Sequence, residues 1–153
     1  MHLKSLAPIV LLLALTLPPT AAAQEADRLF DVAGAPNDSM VFAFLHTLQV
    51  AVVANDSQAV ARLIHYPLRI NDSLHTTWIR NPRQFQRLYR SILTPPIRAA
   101  ILAQIGDSLF ANWQGVMIGR GQVWMNFSCP ENVPAECERL GISAINRNAP
   151  GLP

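Results

Sequence analysis

Apolar residues along the chain fall into runs with two periods. Val41, Phe44, Leu45, Leu48, Ala51 and Val52 recur every three or four residues after Asn37-Asp38-Ser39, whose short polar side chains suit a helix start. The spacing predicts a helix over 37–54. Phe42, His46, Gln49 and Val53 form a second stripe on it, carrying polar atoms on an otherwise apolar helix. Asn55-Asp56-Ser57 restart the chain, and Ala59, Val60, Leu63 and Ile64 predict a short second helix with Tyr66-Pro67 as its exit, because proline cannot continue it.

Residues 68–70 and 74–79 alternate well enough for two strands joined at Asn71-Asp72-Ser73, a cluster suited to a hairpin turn. The triplet Asn-Asp-Ser occurs three times, each time at a boundary. It is capping and turn chemistry rather than an internal repeat, since no flanking similarity accompanies it. Asn81 and Pro82 open a third helix with Phe85, Leu88, Tyr89 and Ile92 on its core face. Thr94-Pro95-Pro96 interrupts it, and 97–105 predict a further helical stretch ended by Gly106. Three strands, 109–118, 122–128 and 139–145, complete the pattern as a meander, with a hairpin tip at Gly119-Arg120-Gly121 where glycine supplies positive φ.

Half of the 153 residues are apolar, and the mean hydropathy of +0.20 is high for a soluble chain. Much of that excess sits at the N-terminus. Lys4, an apolar run over 6–17, Pro18-Pro19 and Ala21-Ala22-Ala23 have the layout of a secretory signal peptide, with cleavage expected after Ala23. The run is too short to cross a bilayer core, which needs about 20 apolar residues, so no transmembrane anchor is expected. The organisation read from the sequence is a signal peptide 1–23, a lead-in 24–36, one domain 37–147 and a tail 148–153, exported to the periplasm or beyond. In such an oxidising compartment Cys129 and Cys137 are expected to form a disulfide closing a short loop with prolines. Their spacing is wrong for a zinc site or a CxxC redox pair, and no metal or other cofactor is implied.

The order helix, helix, hairpin, helix, meander resembles that of the nuclear transport factor 2-like superfamily. The resemblance extends to the runs Leu63-Ile-His-Tyr-Pro-Leu-Arg-Ile70, Ile92-Leu93, 109–124 and Ile142-Ser-Ala-Ile-Asn146, similar to those of small exported bacterial members. It implies an α+β fold, order ααββαβββ, in which a curved antiparallel sheet forms a cone around a long N-terminal helix. It also implies a cone pocket, used for catalysis in some members and for binding in others, and dimerisation through the outer sheet face.

The residues favour binding over catalysis. Enzymes of the cone type usually carry Asp, His or Tyr in the pocket, but Asp38, Asp56, Asp72 and Asp107 all fall at caps and turns. The least implausible proton-transfer groups are His46, on the second stripe of the long helix, and Tyr66. They support an alternative reading as a cofactor-free isomerase, dehydratase or hydrolase acting on an apolar small molecule. His65 is expected at a helix exit and His75 on a strand. Gly106-Asp107-Ser108-Leu109 matches the short nucleophile motif of some esterases, yet no His follows residue 75 to serve as base, so it is read as a turn.

Two surface features remain. Val123, Met125 and Phe127 form one face of a predicted strand, and Gln122, Trp124, Asn126 and Ser128 the other. Tryptophan among amides suits a ligand pocket or a subunit interface, so Trp124, Asn126, Asn112 and Trp78 are the candidate ligand-binding residues and a homodimer through the sheet face is the competing use. Net charge is only +2, no nucleic-acid signature, but residues 73–106 contain five Arg and no acid. Arg83, Arg87 and Arg90 share one face of the third helix, either as a solvated surface or as a contact for an anionic ligand, envelope polymer or lipid headgroup.

Overall fold

The computed structural model describes residues 29–128 and 139–149. The predicted signal peptide, the Cys129–Cys137 bridge and residues 150–153 of the tail lie outside the described residues. Four helices, α1 (Asp38–Val53), α2 (Ser57–Arg62), α3 (Pro82–Ile92) and α4 (Pro95–Ala103), accompany six strands. The strands are β1 (Ile64–Asn71), β2 (Thr76–Ile79), β3 (Phe110–Asn112), β4 (Gly115–Ile118), β5 (Val123–Ser128) and β6 (Arg139–Asn146). The class is α+β.

Local chemistry explains the helix starts. The Asn37 side chain accepts from the Met40 amide at 3.0 Å, Asp56 from the Gln58 and Ala59 amides, and Asn81 from the Gln84 amide at 3.0 Å. Gln84 reaches back to the Arg80 amide at 2.8 Å, a variant of the reciprocal capping box. Thr94 precedes α4, with prolines in the first turn where their missing N–H costs nothing.

The sheet runs β2-β1-β6-β5-β4-β3 and is open, with β2 and β3 as its edges. All neighbours are antiparallel except β1 and β6, which run parallel. The sheet is therefore mixed, correcting the wholly antiparallel one expected from the sequence. The observed order is ααββααββββ rather than ααββαβββ, because the stretch after Thr94 is a full helix and the predicted strand over 109–118 is a hairpin. That hairpin turns at Trp113-Gln114: the Asn112 side chain accepts from the Gln114 amide at 2.8 Å, and Gly115 has φ +136°. A side chain on Gly115 would run into the Met125 carbonyl of the neighbouring strand.

One core joins the helices to one face of the sheet. Val41, Leu48 and Val52 of α1, Phe85 of α3 and Ile97 and Ile101 of α4 meet Leu68, Ile79, Val116, Ile118, Met125 and Ile142, all nearly inaccessible to solvent. Leu88, expected in this core, is instead 41% exposed. Phe30, in the predicted lead-in, is buried against Phe42 with an edge-on ring contact at 5.6 Å, and a short 3-10 turn over Asp31–Ala33 follows it. The packed unit thus begins before residue 37. Gln49 on α1 donates to the Ile101 and Gln104 carbonyls at 3.0 and 2.9 Å, supplying a side-chain donor to acceptors at the end of α4. Among the described residues no helix is long and apolar enough to cross a membrane.

A tryptophan basin on the outer face of the sheet

Strand pairing lines up the face turned away from the helices. Trp78 of β2 stands opposite Arg69 of β1, Arg69 opposite Ala144 of β6, and Ala144 opposite Trp124 of β5. Ala144, in register between these larger side chains, is buried and lies outside the core cluster. Three interstrand steps separate Trp78 from Trp124, about 14 Å at the usual spacing. The turn between β3 and β4 adds Trp113 and Gln114. Together with Asn71, Asn126, Ser143 and Asn146 these residues line a basin of about 670 Å³. All three tryptophans of the chain line it.

The polar groups of the basin are held by one another. Thr76 Oγ1 donates to Asn71 Oδ1 at 3.0 Å, Asn71 Nδ2 to Asn146 Oδ1 at 2.6 Å, and Asn146 Nδ2 to the Gly121 carbonyl at 2.6 Å. This chain fixes which end of each amide faces which way, lowering the ordering cost of binding. Across the basin, Asn126 Oδ1 lies 3.3 Å from His65 Nδ1. An amide oxygen only accepts, so in this arrangement the proton sits on Nδ1 and Asn126 is steered by the ring. Burial pushes the His65 pKa below its ordinary value, opposed by the Asn126 bond and aided by the Arg139 charge, which favours a neutral ring. The imidazole lies directly on Gly141 of β6, where any side chain would collide with it.

Of the four residues expected to bind ligand, Trp124, Asn126 and Trp78 meet here. Asn112 instead shapes the turn that presents Trp113, which is 81% exposed and was not among the expected ligand-binding residues. Gln122 does not share the outer face with Trp124; it is 3% exposed, and its Oε1 accepts from the Arg120 amide at 2.6 Å. Gln122 belongs to the turn before β5, which starts at Val123, so the strand alternation does not extend to it. Arg69 is exposed and, among the described residues, is the one charged residue lining the basin.

The candidate proton-transfer groups are not brought together in a cavity. His46 is exposed on α1. Tyr66 lies in β1, its hydroxyl donating to the Ala61 carbonyl at 3.2 Å, and burial pushes its pKa up to about 12, far from a useful base at neutral pH. His65 lies in β1 rather than at a helix exit, and His75 in the β1–β2 turn, whose amides are gathered by Asp72. Ser108 Oγ donates to the Ile105 carbonyl and accepts from Gln104, in a 3-10 turn as expected. Among the described residues no three His, Cys, Asp or Glu side chains are grouped as metal ligands would be.

Arg83, Arg87 and Arg90 are all exposed on α3. Arg87 and Arg90 line a cleft of about 460 Å³ with Asn55, Ser57, Gln86 and Ser91, while Arg83 does not reach it. Beside this cleft Arg98 donates to the Val52 carbonyl at 2.8 Å and to Asn55 and Tyr89 at 3.2 Å, tying α4 to the end of α1 and to α3. No protein-family model, curated protein or solved structure matches this chain.

Proposed function

We propose that this protein is a non-catalytic, small-ligand-binding domain and that the tryptophan basin is its ligand seat. The observation that carries the reading is the convergence of all three tryptophans, with pre-oriented amides between them, on one concavity. Ligand sites combine apolar area with a few fixed polar groups in volumes of roughly 300–1,000 Å³, and the basin has both properties. Binding is preferred to cone-pocket catalysis because the space between helices and sheet is occupied by Leu48, Phe85, Met125 and their neighbours, with His46 outside it.

The finer claims belong to the same proposal. Membership of the nuclear transport factor 2-like superfamily, with the sheet as one wall of a cone around α1, is supported by the order of helix pair, hairpin, helices and final meander. Export after cleavage near Ala23 and the Cys129–Cys137 bridge rest on the sequence pattern alone. A homodimer through the outer sheet face would use the same exposed Trp78 and Trp113, and so competes with the ligand for them. The Arg87 and Arg90 cleft, lined by no carboxylate among the described residues, is the second surface where an anion would dock.

The position of the tryptophans makes the test direct. Native mass spectrometry of protein purified from its source reports any retained molecule and the oligomeric state together, and its release is followed by tryptophan emission. A ligand whose release leaves the emission of the parent and of Trp113→Ala unchanged would refute the basin as its seat.

A further inference from the structure

We infer that the molecule taken by the basin is an oligosaccharide chain bearing carboxylates. The inference rests on the reading of the basin as a ligand seat and names the chemistry of the occupant. A pyranose ring presents apolar C–H faces and hydroxyl edges at once, so a surface that binds it needs flat aromatic area interleaved with groups that both donate and accept. The basin has that interleaving: Trp78, Trp113 and Trp124 come from three different elements, with asparagine and glutamine amides between them. An apolar ligand of similar size would strip water from the donor and acceptor capacity that these amides do not use among themselves, at a cost for each group left unmet.

Length points the same way. Trp78 and Trp124 are separated by about 14 Å across the sheet, more than a single sugar or aromatic ring spans. A molecule touching both is a chain of rings. Charge then selects among such chains: Arg69 stands between the two, paired in register with Trp78 on one side and Ala144 on the other, and among the described residues no carboxylate lines the basin. The nearest acid in sequence, Asp72, is engaged by the Leu74 and His75 amides of its turn. A guanidinium binds a carboxylate through paired N–H donors. A single-stranded nucleic acid would need a cationic groove following its phosphates, and among the described residues the basin offers one cation.

The test uses the whole protein and three probes: an oligomer of hexuronic acids, the same oligomer with its carboxyl groups reduced to alcohols, and benzoate as a single-ring acid. Calorimetry and tryptophan emission are read together. The acidic oligomer is expected to bind and shift the emission, the reduced oligomer to bind about tenfold more weakly, and benzoate not to bind. Arg69→Gln should bring the acidic oligomer down to the reduced one. Trp113→Ala, at a solvent-exposed turn position, should weaken both oligomers while leaving the melting temperature unchanged.

Equal affinity for the two oligomers, or no effect of Arg69→Gln, would overturn the acidic assignment. Binding of benzoate but neither oligomer, with a shift in emission, overturns the saccharide class and leaves the basin a ligand seat. If no probe binds and Trp113→Ala dissociates a dimer, the basin is a subunit interface, and both the inference and the reading beneath it fall.

Discussion

Replacing Gly141 by alanine adds one methyl group beneath the His65 ring and should disturb the ligand surface from below. The new Cβ would stand 2.7 Å from Cε1 and closer still to Cδ2 and Nε2, against the 3.5–4.0 Å at which carbon atoms rest together. The ring must therefore withdraw by about 1 Å, which the Nδ1···Asn126 contact, already 3.3 Å long, does not survive. Overpacking of this kind costs about 1–3 kcal/mol. Against it stands a gain of about 0.4–1 kcal/mol from the lower entropy of the unfolded chain, because the backbone of Gly141 is not in the left-handed region that excludes alanine. The expected net loss is about 1–2 kcal/mol. Urea unfolding of the parent, Gly141→Ala, His65→Ala and the double variant closes the cycle. Removing the ring should relieve the clash, so the double variant loses at least 1 kcal/mol less than the sum of the two single losses, a coupling typical of residues in contact. An additive cycle, or a Gly141→Ala protein as stable as the parent, would show that the ring does not rest on this glycine.

Three other outcomes are expected. Gln49→Leu should lower stability by about 1–3 kcal/mol in urea unfolding, since the Gln104 carbonyl loses its side-chain donor and the Ile101 carbonyl keeps only the Gln104 amide at 3.4 Å, while Val50→Ala on an exposed position of α1 should change it little. His65 binds its proton less readily folded than unfolded, so stability should be full above its ordinary pKa of 6.5 and decline as pH falls below that value toward the folded one. The slope, at most about 1.4 kcal/mol per pH unit, should be reduced in His65→Gln; an unaltered slope in that variant rules out this histidine as its source. Asn112→Ala should cost about 1 kcal/mol by removing the side-chain acceptor of the β3–β4 turn and should broaden the Trp113 signals in NMR spectra without changing those of the core.

The helix caps at Asn37, Asp56 and Asn81, the buried stripe of α1 and the division of β5 into Met125 and Trp124 faces were legible because each depends on neighbours a few residues away. The parallel pairing of β1 with β6 was not, since nothing near Ile70 announces a partner at Ile145. The split of 109–118 was hidden because the turn-forming Asn112 and Gly115 straddle Trp113-Gln114 instead of standing side by side, leaving an aromatic residue where turns are usually polar. Tyr66-Pro67 ended the helical reading correctly in chemistry but late in position: α2 stops at Arg62, and the proline lies within β1. Of the basin, Trp78, Trp124 and Asn126 were readable as an amphipathic strand pattern. Arg69, Asn146 and Trp113 join them only once the strands are laid in order.

β6 is the last strand of the chain, yet it lies in the interior of the sheet, bonded to β1 on one side and β5 on the other. Leu140, Ile142 and Ile145 belong to the core, Ala144 is buried outside it, and Ser143 and Asn146 line the basin. A chain delivered N-terminus first, from the ribosome or through a membrane pore, therefore arrives as a helical segment with one hairpin and a separate meander, each with an open edge awaiting the same missing strand. Neither half can close its backbone hydrogen bonds until residues 139–146 emerge. The keystone position makes folding a late, all-at-once event dominated by non-local pairing, which sets a slow rate by topology. It also means that the basin lacks Ser143, Asn146 and the strand that sets Trp124 across from Arg69 until β6 has docked.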